Sequence, residues 1–263
     1  MLVTLSPSKG QDFDIPMPNG DFSLPKQLDQ SQLLVDQLRD YEPARIESLM
    51  SISENLAKLN FERFQQFHTP FNPDNARPAL FAFKGDVYSG IEAATMTPDD
   101  LAYAQDHLRI LSGLYGALRP MDLIQAYRLE MKTKLENPRG ANLYEFWGDQ
   151  ITDSLNTELA KQQEAVLVNL ASNEYYKSVK PKQVKGRILN IDFKETKEGK
   201  TRIVAIYAKK ARGMMADFIL RNRIETPEGI QDFDTAGYKY APSLSTDNKW
   251  VFERPQPAPQ GKK

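Results

Sequence analysis

The stretch TPDDLAYAQDHLRILSGLYGALRPMDLIQAYRLEMKTKL, Thr97 to Leu135, decides how the chain is read. It predicts a helix, a tight glycine turn and a second helical run. Thr97 suits an N-cap, Pro98 the first helical position, and Asp99 and Asp100 the positive end of the helix dipole. Leu101, Ala104, Leu108 and Leu111 recur at helical spacing and form one apolar stripe. Ser112-Gly113-Leu114-Tyr115-Gly116 then stops the helix, because glycine reaches the left-handed conformation of a C-terminal cap without a Cβ penalty. Arg119-Pro120 restarts the chain, with Leu123, Ile124 and Tyr127 as the next apolar positions.

Two helices joined so tightly leave backbone N–H groups free at the turn, and such groups hold a phosphate. Many corners of this kind only pack helices, so the expectation is weighed against plain packing. Its residues are Gly113, Gly116 and Arg119. Gly113-x-x-Gly116 shares the spacing of the KH-domain clamp, but it is closer to a helix-hairpin-helix DNA-binding element over about residues 97–125. That element usually has a single residue between its glycines, whereas here there are two.

Outward from this stretch, the chain reads as one α/β domain over residues 1–254, followed by a Pro-rich tail over 255–263 with the composition of a disordered segment. Leu2–Leu5, Ala79–Phe83, Ala165–Leu170, Arg187–Phe193 and Thr201–Tyr207 are the expected strands, with a last pair at Tyr238–Tyr240 and Lys249–Phe252. Helices are expected from Pro25 to Leu38, Pro43 to Met50, Ser53 to Phe67, Asn142 to Leu159 and Ala208 to Arg223. The fold class that follows is a single mixed-sheet α/β domain with flanking helices.

Composition narrows the function. With 263 residues, 40% hydrophobic and 26% charged, the chain has the balance of a soluble globular protein. No apolar run has bilayer length, and MLVTLSPSKG has neither the basic start nor the apolar segment of an export signal. A cytoplasmic protein without membrane contact is expected. Zero cysteines exclude disulfides, thiolate metal sites and a cysteine nucleophile, and two histidines, His68 and His107, are too few for a histidine-rich metal site. Neither a metal nor another cofactor is expected, and no obligate protein partner is evident. A net charge of −1 rules out a wholesale polycation but leaves room for a local basic cleft.

Such a cleft is written into the strand ends. Lys9 follows LVTLS, Lys84 follows ALFAF, Lys177 follows AVLVNLAS, and Lys209 and Lys210 follow TRIVAIY. If the strands are mostly parallel, these exits open on one edge of the sheet, where α/β proteins bind ligands. Lys209, Lys210 and Arg212 fall in the first turn of the expected helix, against its dipole, an arrangement better suited to a phosphate than to stability. Lys180 belongs to a second basic run just upstream. For chemistry the residues are less specific. Asp86 and Glu174 are the candidate catalytic carboxylates, and the serines near the edge have no histidine placed to activate them.

LSPSK (5–9), FKGDVYSG (83–90), HLRILSGLYGALRPMDLIQAYRLEM (107–131), NLYEFWG (142–148), VNLASNEYYKSVKP (168–181) and YAKKARGMMADFI (207–219) closely resemble the YaaA family of peroxide stress resistance proteins, over about residues 1–240. The resemblance implies a cytosolic bacterial protein that limits hydrogen peroxide damage and is linked to lowering free iron. It also implies binding of double-stranded or structured DNA through a helix-hairpin-helix element and a basic cleft. The charge pattern fills that cleft with Lys9, Lys84, Lys177, Lys180, Lys209, Lys210 and Arg212. A binding module without chemistry of its own is favoured. The alternative is an enzyme acting on a nucleotide or nucleic acid at the same strand-end site.

Overall fold

The structure, a computed structural model, describes residues 1–258. In chain order its strands are β1 (Leu2–Leu5), β2 (Gly10–Gln11), β3 (Arg77–Pro78), β4 (Phe83–Lys84), β5 (Leu108–Ser112), β6 (Gly116–Leu118), β7 (Leu123–Ile124), β8 (Val166–Asn169), β9 (Arg187–Lys197), β10 (Lys200–Arg202), β11 (Lys239–Tyr240) and β12 (Lys249–Pro255). Its α-helices are α1 (Leu28–Arg39), α2 (Pro43–Met50), α3 (Glu54–Gln66), α4 (Ala79–Ala82), α5 (Pro98–His107), α6 (Leu143–Trp147), α7 (Gln150–Leu159), α8 (Asn173–Tyr176), α9 (Ala205–Arg221) and α10 (Pro227–Ile230). Eight strands make one mixed sheet in the order β11-β12-β9-β8-β1-β5-β6, with β10 paired to β9. β5, β1, β8, β9 and β12 run parallel. The α/β class with a mostly parallel sheet and flanking helices is the one expected. Among the described residues no helix is long and apolar enough to cross a membrane.

β1 is buried along its whole length, as a central parallel strand covered on both faces must be. Val3 pairs with Leu108 on one side and Val168 on the other, so the LVTL and AVLVNL runs meet in the middle of the core. β9 alternates instead: Leu189, Ile191, Phe193 and Glu195 are buried while the residues between them are not.

The stretch on which the reading turned is half as expected. Thr97 caps α5 in a full capping box with Asp100. The helix then ends at His107, and Leu108–Ser112 continues as β5, parallel to β1 and antiparallel to β6. The end of the expected first helix and its glycine turn are therefore a β-hairpin. The expected second helical run from Arg119 holds only the short strand β7, and the chain from 97 to 125 forms no helix-hairpin-helix. The reason is burial on all sides: every residue of LRILS is buried, so its leucines matched helical spacing without being amphipathic.

Other boundaries move for local reasons. ALFAF is the four-residue helix α4 ending in β4, which pairs with β2 outside the main sheet. The helix expected over 142–159 is interrupted at Gly148-Asp149 into α6 and α7. β10 ends at Arg202 and α9 begins at Ala205, so Lys209, Lys210 and Arg212 lie beyond the first turn and do not oppose the dipole there. α1 begins at Leu28, three residues after the expected Pro25 start. At the C-terminus β12 includes Pro255, and the Gln256 N–H donates to the Thr196 carbonyl at 2.9 Å, so pairing continues past the expected domain end at 254. Residues 259–263 of the expected tail lie outside the described residues.

Candidate functional site

From β1 the chain proceeds to β5 on one side, then crosses back to β8, β9 and β12 on the other. Loops leave the carboxyl ends of β1 and β8 side by side, where a sheet of this kind usually has its ligand crevice. Two serines bridge these loops. The Ser6 hydroxyl lies 3.2 Å from Ser172 Oγ and accepts the Ser172 N–H at 2.8 Å. Beneath them the Tyr88 hydroxyl donates to the Ser6 carbonyl at 3.0 Å. Burial pushes the phenols of Tyr88, Tyr127 and Tyr175 up, so this floor carries no charge.

Around these loops stand the cations. Gly10 pairs with Lys84 across β2 and β4, which sets Lys9 and Lys84 side by side. Lys84 Nζ is 3.8 Å from Asp12, and Lys209 Nζ is 4.0 Å from Asp86, long exposed pairs worth little on their own. Lys210 is exposed on the same helix. α9 reaches this position because its Gly213 crosses the turn at 88–90 against Gly90. A Cβ on Gly213 would fall 1.8 Å from the Val87 carbonyl oxygen, and one on Gly90 would fall 2.4 Å from that of Lys210.

On the opposite rim Glu130 gathers three cations: Lys9 at 3.0 Å, Arg128 at 3.2 Å and Lys132 at 3.3 Å. Burial works against its charge, but Lys9 and Lys132 outweigh it and hold the carboxyl below its ordinary range. Glu174 accepts the Lys132 N–H at 3.4 Å, the Tyr144 hydroxyl donates to the Glu174 carbonyl at 2.9 Å, and Lys177 lies over the Tyr144 ring at 4.9 Å. Lys9, Lys84, Lys177, Lys209 and Lys210 thus share one edge, linked contact by contact. The candidate carboxylates sit there too, Asp86 beside Lys209 and Glu174 under Tyr144.

Other expected site residues are elsewhere. Gly113 and Gly116 are buried, and a Cβ on Gly113 would fall 2.3 Å from the Leu129 carbonyl oxygen. Ser112 Oγ accepts the N–H groups of Leu114 and Tyr115 at 3.2 and 3.0 Å. The Leu114 and Tyr115 donors are used internally, and the turn is buried away from any phosphate. Arg119 is clamped to the fully buried Asp122, its guanidinium within 2.8 Å, and donates to the Leu24 carbonyl. Lys180 lies on the return path beside α7, its N–H donating to Thr152 Oγ1 at 2.9 Å.

Arg212 lines a separate cavity of about 250 Å³ with Asn169, Asn173, Asn190, Asp192 and Lys249. Asn190, Asp192 and Lys249 were not anticipated, because they meet only through the β9–β12 register, where Lys249 stands opposite Asn190. Arg128, Glu130 and Lys132 were also missed, although the alternating charges of Tyr127-Arg128-Leu129-Glu130-Met131-Lys132 were a visible signal.

Comparison with known proteins places the chain. The family model described as "Peroxide stress protein YaaA" matches residues 1–244. A UPF0246 protein of Acaryochloris marina is 54% identical over 97% of this chain and 100% of its own length. UPF0246 proteins of Tolumonas auensis and Shewanella loihica are 53% and 52% identical, covering 97% and 98% of this chain and 98% and 100% of theirs. On these whole-length likenesses, the chain belongs to the YaaA family of peroxide stress proteins.

Proposed function

We propose that this chain acts in the peroxide stress response by binding double-stranded or structured DNA along the cationic edge of its sheet. One observation carries the reading: Lys9, Lys84, Lys177, Lys209 and Lys210 are all exposed, around the loops that leave β1, β4 and β8. Lysines of this kind neutralise backbone phosphates without reading bases, so binding is nearly independent of sequence and falls steeply with salt. Because it is buried, the β5–β6 turn contributes nothing to this surface. An effect on free iron is indirect in this reading. Both histidines are otherwise engaged, His107 stacked on Tyr103 at 3.9 Å and His68 bonded to the Gln66 carbonyl and to Asn75.

The test is fluorescence anisotropy with a labelled duplex across a salt series, comparing the chain with Lys209→Ala/Lys210→Ala. Salt-sensitive binding that weakens in the double variant is expected. No binding at low salt, or equal binding by the variant, would discard the reading.

A further inference from the structure

The cavity under Arg212 adjoins the cationic edge at the carboxyl end of β8 and has a chemistry of its own. Its floor is the carboxyl end of β8, Asn190 to Asp192 of β9 and Lys249 at the start of β12. The floor is preset: Asn169 donates to Asn190 Oδ1 at 2.9 Å and accepts the Ala171 N–H at 3.0 Å. Lys249 holds Asp192 at 2.8 Å, so the one carboxylate of the cavity is already neutralised. Arg212 remains. It comes from the roof, on α9, and among the described residues it has no hydrogen-bond or ion-pair partner. Burial disfavours its charge and only Asp192 favours it, yet a guanidinium does not give up its proton. A partly buried cation held without a counter-ion, beside a lysine with ammonium protons to spare, is a binding site for an anion.

We infer that this cavity takes a terminal phosphate group, a phosphomonoester, with Arg212 as its main ligand and Lys249 and Asn173 beside it. A phosphate within a strand carries two chain substituents and one charge, whereas a terminal phosphate carries one substituent and, above its second pKa of about 6, close to two charges. The second kind, with more charge and a single substituent, fits a small cavity of about 250 Å³ in which Arg212, Lys249 and Asn173 offer donors. Its source is either the phosphorylated end of a DNA strand or a free nucleotide. Arrival on a DNA end rests on the DNA-binding reading above, while the phosphate site does not.

The experiment compares labelled duplexes ending in a 5′-phosphate, a 3′-phosphate or hydroxyls. Deoxyadenosine 5′-monophosphate, deoxyadenosine and inorganic phosphate are titrated calorimetrically in parallel. The full chain is set beside Arg212→Gln and Lys249→Gln, with thermal unfolding to show that each variant is folded. A preference of about tenfold or more for a phosphorylated end is expected, fading below about pH 6 and lost in Arg212→Gln while hydroxyl-ended duplex still binds. Arg212-dependent binding of the monophosphate with no preference among duplex ends supports the site and assigns its source as a free nucleotide. If no phosphorylated probe binds better than its dephosphorylated counterpart, the proposal is overturned. The same holds if both folded variants bind every probe as the full chain does. Loss of all duplex binding with the monophosphate still bound would instead strike the DNA reading alone.

Discussion

Two buried glutamates at opposite ends of the sheet each hold three cations, and the contrast between them separates structure from site. Near the amino ends of the strands, Glu158 binds Lys26 at 2.6 Å, Arg109 at 2.9 Å and Lys161 at 3.2 Å. Its side chain is 4% exposed and that of Arg109 only 2%. At the carboxyl ends Glu130 binds Lys9, Arg128 and Lys132; the lysines of both clusters are exposed, but Arg128 is 18% exposed where Arg109 is buried. The first cluster is closed around a guanidinium that water does not reach. The second has no sealed guanidinium, so an incoming anion can compete for its cations without stranding a buried charge. Similar residues in similar number do different work because one carboxylate is committed to a guanidinium buried in the core and the other is not.

Breaking the sealed cluster has the largest expected effect. Glu158→Gln leaves Arg109 buried without its counter-charge and costs about 3–5 kcal/mol, read by urea denaturation. Burial pushes the Glu158 carboxyl up, but Lys26, Arg109 and Lys161 prevail and bring it to about 2, below its ordinary 4.5. Its contribution is therefore fully present above about pH 4.5 and lost as pH falls toward 2, and the variant should lose this part of the acid limb in a plot of Tm against pH.

Next comes the β5–β6 turn. A methyl on Gly113 must displace the Leu129 backbone, so Gly113→Ala should cost about 1–3 kcal/mol. Provided the variant is folded, its duplex affinity should match the wild type. A selective loss of DNA binding without loss of stability would restore the hairpin to the site.

Substitutions on the rim act on binding rather than folding. Lys209→Ala/Lys210→Ala should leave stability within about 0.5 kcal/mol and lower the slope of log K against log salt by about 2. The smallest change in binding is expected from Glu130→Gln, whose stability cost is held to about 1 kcal/mol because Lys9 and Lys132 are already solvated. It frees both for phosphate, so duplex binding should tighten at low salt. Weaker binding would mean that Glu130 positions these lysines rather than competing for them.

The legible part of the fold was its strongly periodic or uniformly apolar segments. LVTL and AVLVNL became the central strands, α1, α2, α3 and α9 fell close to their expected bounds, and Thr97 capped α5. At the site, Lys9 and Lys177 follow parallel strands of the main sheet, as the strand-exit pattern expected. Lys84 instead follows β4 outside that sheet, and Lys209 and Lys210 lie within α9, so packing rather than strand direction places them. LRILSGLYGAL was misread because a segment buried on every side carries no period to distinguish helix from strand.

The sequence alone determined the α/β class, the family and the list of cations. Tertiary structure decided which of those cations are available. It placed Arg119 against a buried aspartate, sealed Gly113 and Gly116 in the core, and left Arg212 without a partner above a polar cavity. The physical reason is that charge is a property of a residue, whereas desolvation and pairing depend on what the fold packs around it. Those neighbours, such as Lys249 beside Asp192 or Glu130 beside Lys9, come from positions far apart in the chain.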